Sequence, residues 1–141
     1  MDHLRAYEAE DKERYRIIDT IKSVLLGEQK IVFAFLYGSF CSEPFFRDID
    51  VAVLVRDLDS SAYLDYEDKI SQRVEKELLS PYPVEVKILN DAPLAFCFSV
   101  IRGKFLFARD EDVLISFMTN TARAYLDIAP LRHRYMREAM A

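Results

Sequence analysis

Apolar and polar residues alternate along this chain in blocks of two kinds. From Ile31 to Tyr37 (IVFAFLY) every residue is apolar or aromatic, the pattern of a strand covered on both faces. Asp48 to Val55 predicts a second strand, with Val51, Val53 and Val55 on one face and Ala52 and Leu54 on the other. Val84 to Leu89 predicts a third, and Lys104 to Ala108 a short edge strand. Between them the spacing changes to threes and fours. Ile17, Ile18, Ile21, Val24 and Leu25 predict a helix from Asp2 to about Leu26, stopped by Gly27. Asp57 to Ser61 supplies turn and capping residues. A helix then runs to about Leu79 with Leu64, Ile70, Val74 and Leu78 facing a core, ended by Pro81 and Pro83. Leu94 to Ile101 predicts a short, mostly buried helix. Asp110 caps a last helix, with Glu111 and Asp112 in its first turn, and Pro130 bends or restarts it. The sum is one α/β (α+β) domain over residues 1–141: an N-terminal helix over 1–27, a core over 31–108 holding a mixed sheet of about four strands, and a C-terminal helical segment over 110–141.

Composition narrows the function more than the fold. At 141 residues the chain has room for one core. Its net charge of −5 lacks the broad basic footprint of a general nucleic-acid binder. Cys41 and Cys97 stand apart, with no CxxC pair, and read as free thiols of an intracellular protein. No apolar run reaches membrane-spanning length and the N-terminus is too polar for a signal peptide, so a cytoplasmic protein is expected. Glu8 to Arg16 reads as a solvated helix face, and His3 carries no role. The one basic cluster, Arg132 to Arg137, suits either a helix C-terminus or a surface facing a partner or a nucleotide.

Asp48 and Asp50 break this ordinary pattern. One residue apart in a strand, they project to the same side at the mouth of an otherwise apolar segment. Unpaired charge is expensive to bury, and a bound cation is the simplest compensation. Glu85 is a second acid interrupting an apolar strand; Lys87, on its face, either pairs with it or reaches a phosphate. Gly38-Ser39 closes the first strand, where a glycine lets an anion approach the main chain and Ser39 opens what could be a short helix with free N–H groups. The link Phe40 to Arg47 carries three phenylalanines and a proline. At least one phenylalanine should pack beneath the loop, while an exposed Pro44-Phe45-Phe46 tip would be a surface for a partner or a base. Arg47 has two candidate roles, contact with phosphate or pairing with Glu43. No Walker-type sequence is present.

An apolar strand ending in Gly-Ser, a link, and Asp-x-Asp opening the next strand together resemble the polymerase-β-type nucleotidyltransferases. The short length, and the stretch from Arg123-Ala124-Tyr125-Leu126-Asp127 through Arg137, resemble their minimal single-domain branch, which is paired with HEPN-domain proteins. The resemblance implies that Gly38 and Ser39 hold nucleotide phosphates. It implies that Asp48, Asp50 and Glu85 are the catalytic acids and the ligands of two Mg²⁺ ions, with ATP as substrate. It further implies transfer of AMP to a protein hydroxyl, a tyrosine of a HEPN-type ribonuclease toxin, with this chain as the antitoxin. The link from Ser39 to Asp48 is shorter than is usual in the family and lacks its Arg-Gly pair, and the third acid is Glu rather than the commoner Asp. Two other readings therefore stay open. One is a catalytically weak nucleotide-binding module that neutralises its partner by contact; the other is a nucleotidyltransferase acting on a small molecule such as an aminoglycoside.

Overall fold

The computed structural model describes residues 6–79 and 81–140. In chain order the elements are β1 (Tyr7–Glu8), α1 (Asp11–Leu26), β2 (Ile31–Tyr37), α2 (Ser39–Ser42), β3 (Phe45–Phe46) and β4 (Ile49–Val55). A 3-10 turn at Ser60–Ala62 leads into α3 (Tyr63–Leu78), and after it come β5 (Val84–Ile88), α4 (Leu94–Ile101), β6 (Lys104–Ala108) and α5 (Glu111–Met140). The main sheet is mixed, in the order β5-β4-β2-β6, with β4 and β5 parallel and the other pairs antiparallel.

Two apolar layers form because the strands are apolar on both faces. Ile49, Val51, Val53 and Val55 of β4 point toward α1 and α3, where they meet Ile17, Ile21, Leu25, Ile70, Val74 and Leu78. Ala52 and Leu54 point the other way, toward Cys97 and Val100 of α4 and Leu114, Phe117 and Met118 of α5. A register slip between Ile31 and Phe33 shifts the alternation of β2, so that Val32 and Phe33 both belong to the second layer while Ile31, Ala34 and Leu36 belong to the first. Among the described residues no helix is long and apolar enough to cross a membrane.

Some boundaries follow the sequence pattern, as at Gly27 and Leu79, and others depart from it. The first helix begins at Asp11, because Tyr7 and Glu8 pair as a strand with Phe46 and Phe45; residues 2–5, including His3, lie outside the described residues. Gly27 ends α1 in right-handed geometry, its N–H on Val24 O at 3.2 Å. The helix α3 stops at Leu79, whose φ of 51° puts it in the left-handed region ahead of Pro81. Leu64 does not face the core: it is 75% exposed, and Tyr66 takes the buried place one turn before Ile70. Pro130 lies inside α5, which runs through it without restarting. Asp59 accepts from the Ser61 N–H and Asp110 from the Val113 N–H at 3.2 Å, both in the predicted capping stretches.

The outer edge of β5 is closed by side chains. Glu75 accepts from Val84 N–H at 2.7 Å, Ser71 from Val86 N–H at 3.0 Å and Glu67 from Ile88 N–H at 2.8 Å. These three sit four residues apart on α3, one helical turn each, and so match every second residue of the strand. Replacing Leu64 with Ala should change stability by less than about 0.5 kcal/mol. Ile70→Ala, which empties part of the α3 layer, should cost about 2–5 kcal/mol; urea unfolding of the two variants checks the assignment of the buried face.

Candidate functional site

Asp48, Asp50 and Glu85 meet at one end of the sheet. In the parallel register Asp50 lies directly opposite Glu85, and on its other side Asp50 lies opposite Tyr37. Each acid offers a carboxylate oxygen, and the three oxygens lie within 4.8 Å of one another. Asp48 and Asp50 are partly buried and Glu85 is exposed. Three carboxylates at this spacing repel one another and share too little water. Burial, and then the charges of Asp48 and Glu85, push Asp50 up to about 7, with Lys87 pulling partly back. Burial and the same acids push the Tyr37 phenol well above its ordinary value, which keeps it neutral. The donor set is all carboxylate, which suits a hard divalent cation such as Mg²⁺.

Gly38 is required here twice over. Its φ is +80°, and a side-chain carbon at this position would overlap Oδ2 of Asp50. The backbone of the turn thus lies directly against the acid cluster. Ser39 opens the four-residue helix α2. The loop after it is not a free tip. Phe40 and Phe46 are buried edge to face, with ring centroids 4.8 Å apart, while Phe45 is 55% exposed.

Arg14 fixes this loop, a role hidden by its place in a charged run that reads as a solvated face. Its guanidinium donates to the carbonyls of Phe40 at 2.7 Å, Pro44 at 2.8 Å and Glu43 at 3.2 Å. It also lies 5.0 Å from the Phe40 ring centroid and 5.1 Å from that of Phe46. Only the planar fork of an arginine serves three carbonyls in this way. Lys87 sits 3.1 Å from Glu85, forming the ion pair that is one of its two candidate roles. Arg47 is exposed and lines a pocket with Ser39, Glu43, Phe45 and Asp48, beside the acids. On the β6 side of Gly38 opens a pocket of about 620 Å³ lined by Tyr37, Ser42, Ser99, Arg102, Gly103 and Lys104. Arg102 and Lys104 carry no signal in the sequence beyond an Arg-Gly turn. Cys41 is exposed and Cys97 buried, and both are free thiols.

A family model described as polymerase beta, nucleotidyltransferase, matches residues 19–112. The chain belongs to that family. A search of curated proteins gives no match. Among solved structures, a chain of a toxin–antitoxin complex with AMP-PNP is 26% identical, with 88% of this chain covering 98% of that one at a TM-score of 0.66. A chain of the complex of tri-AMPylated Shewanella oneidensis HEPN toxin with MNT antitoxin is 24% identical, with coverage of 91% and 99% and a TM-score of 0.65. A chain of the toxin–antitoxin MntA-HepT is 23% identical, with coverage of 94% and 100% and a TM-score of 0.59. The last two, below a quarter identity, show a shared fold.

Two measurements probe the geometry of the acids. Between about pH 4 and 7 the native metal-free protein holds a proton at Asp50 that an unfolded aspartate, near 3.8, has released. Its stability should therefore fall as pH rises through this window and stay lower above it. Asp50→Asn keeps the shape without the charge. It should flatten that part of the profile and raise stability at pH 8 by about 1–2 kcal/mol, the full shift being reduced for a half-exposed site; thermal melts across pH would show otherwise if the two proteins fell in parallel. Gly38→Ala should cost about 1–3 kcal/mol through strain and displacement of Asp50, read by the same melts.

Proposed function

We propose that this protein is an antitoxin that transfers AMP from ATP to a hydroxyl of a HEPN-type toxin, with a tyrosine as acceptor, acting in the cytoplasm as one nucleotidyltransferase domain. The observation that carries the reading is the meeting of Asp48, Asp50 and Glu85 beside Gly38. Family membership supports the reaction class. The likeness to a toxin–antitoxin complex holding AMP-PNP supports the nucleotide and the partner, and the toxin of the Shewanella oneidensis complex carries AMP groups.

In this reading Asp48, Asp50 and Glu85 hold two Mg²⁺ ions. When bound, these supply charge that activates the attacking hydroxyl and stabilises the leaving pyrophosphate. The chain's own groups do the rest. Gly38 brings backbone N–H groups and Ser39 a hydroxyl against the phosphates. The acceptor oxygen bonds to the α-phosphorus. The bond from that phosphorus to its bridging oxygen breaks, and pyrophosphate leaves with the electron pair. Glu85, the most exposed of the three acids, takes the hydroxyl proton. Tyr37, held neutral, adds no further negative charge beside the nucleotide.

The test is intact-mass analysis of the partner toxin co-expressed with this chain. Wild type should add AMP groups to the toxin, and Asp50→Asn or Glu85→Gln should cut the rate by about 10²-fold or more. Toxin that is silenced equally well by Asp50→Asn, with no added mass, would replace this reading with neutralisation by contact.

A further inference from the structure

Asp50 and Glu85 are placed by the sheet, since they face each other in the parallel register of β4 and β5. Asp48 is not. The strand β4 begins at Ile49, so Asp48 precedes the ladder and stands at the end of the link from Ser39. Repulsion from the other two acids pushes on this least anchored member. A Mg²⁺ ion tolerates little departure from octahedral geometry, so the place of Asp48 has to be set from outside the sheet.

Two segments lead into the acids. Phe46 stands two residues before Asp48, and Tyr82 three residues before Glu85. Tyr7 packs on both. Its ring centroid lies 6.0 Å from that of Phe46 and 5.1 Å from that of Tyr82, and Phe46 and Tyr82 are themselves 5.2 Å apart. The three rings form a closed triangle that ties one segment to the other. The segments also meet through the backbone, where Ile49 N–H donates to Pro83 O at 2.9 Å. Tyr7 pairs with Phe46 as part of β1 and β3, and its hydroxyl donates to Pro81 O at 3.4 Å. Arg14 adds a second hold on the first segment. Its guanidinium donates to the carbonyls of Ala9 at 3.3 Å, Phe40 at 2.7 Å and Pro44 at 2.8 Å, and lies 5.1 Å from the Phe46 ring centroid.

We infer that Tyr7 and Arg14 are positioning residues of the acid cluster, a brace that sets where Asp48 stands against Glu85 and so how tightly the three acids hold a cation. The inference rests on the reading of these acids as the cation site of a transferase. Both residues lie outside 19–112, the part of the chain that the family model matches, so the brace is not part of the matched core. What it supplies is rigidity. Without it the link from Ser39 is a surface loop, and ordering that loop when a cation binds costs entropy. Residues that orient metal ligands from behind are worth about 10- to 100-fold in metal affinity.

Mn²⁺ titration of the full chain, followed by loss of the free-ion electron paramagnetic resonance signal, tests the inference. Arg14→Ala and Tyr7→Ala should each weaken Mn²⁺ binding by about 10-fold or more. Arg14→Lys keeps the charge without the planar fork and should fall with Arg14→Ala. Tyr7→Phe keeps the ring and should lie closer to wild type than to Tyr7→Ala. Ile70→Ala, destabilised in the α3 layer without a part in the brace, is the comparator. Well below its melting range it should bind Mn²⁺ as wild type does, which separates positioning from a general loss of stability. Amide hydrogen exchange gives a second measurement: residues 40–47 should exchange faster in Arg14→Ala while β4 and β5 keep their protection. Wild-type Mn²⁺ affinity in Arg14→Ala and Tyr7→Ala, an equal loss in Ile70→Ala, or no Mn²⁺ binding by wild type overturns the brace. Failure of the brace alone leaves transfer to the toxin sensitive to Asp50→Asn. Failure of the transferase reading alone leaves Mn²⁺ binding dependent on Arg14 while the toxin gains no mass.

Discussion

Electrostatic repulsion among Asp48, Asp50 and Glu85 is the force that the surrounding structure must contain. The chain does so with stiff elements. Asp50 and Glu85 sit on adjacent parallel strands, and β4 continues into residues buried on both sides of the sheet. Sliding either strand by one residue would send an acid into an apolar layer, at a cost of several kcal/mol for an unpaired buried charge. The same burial that fixes the strands strips water from Asp50 and raises its proton affinity. Burial and charge are therefore opposed at this end of the sheet.

The turn facing the acids is held by different means. Gly38 has no side chain to strike Asp50, and its left-handed φ suits only a residue without a Cβ. The helix and loop after Gly38 are too short to hold themselves in place, and Arg14 does so from a helix earlier in the chain. Tyr7, Phe40, Phe46 and Tyr82 pack around that anchor, and the two-residue strands β1 and β3 zip its outer side. Loop carbonyls that would otherwise need water are satisfied by one guanidinium, which removes the usual mobility of a surface connection.

The parts of this molecule that can be read from sequence are those encoded locally. The runs Ile31–Tyr37, Leu94–Ile101 and Lys104–Ala108 match their elements because periodicity and turn residues act over a few positions. The acids stand out because charge inside an apolar strand has few innocent explanations. The pairing of Tyr7 and Glu8 with Phe46 and Phe45 leaves no trace, since two residues carry no period. Arg14 looks like any surface cation, because its partners lie 26 to 30 residues away. Leu64 misleads for a reason of phase: Tyr66, Ile70, Val74 and Leu78 already fill the stripe at intervals of four, and a tyrosine is a weaker core signal than its more apolar neighbour.

The lacing of β5 by Glu67, Ser71 and Glu75 bears on assembly. A strand at the margin of a sheet normally advertises its spare N–H groups to any extended peptide. Here that margin is already answered from within the fold. An extended segment of another polypeptide thus finds the N–H row of β5, the strand that carries Glu85, already taken.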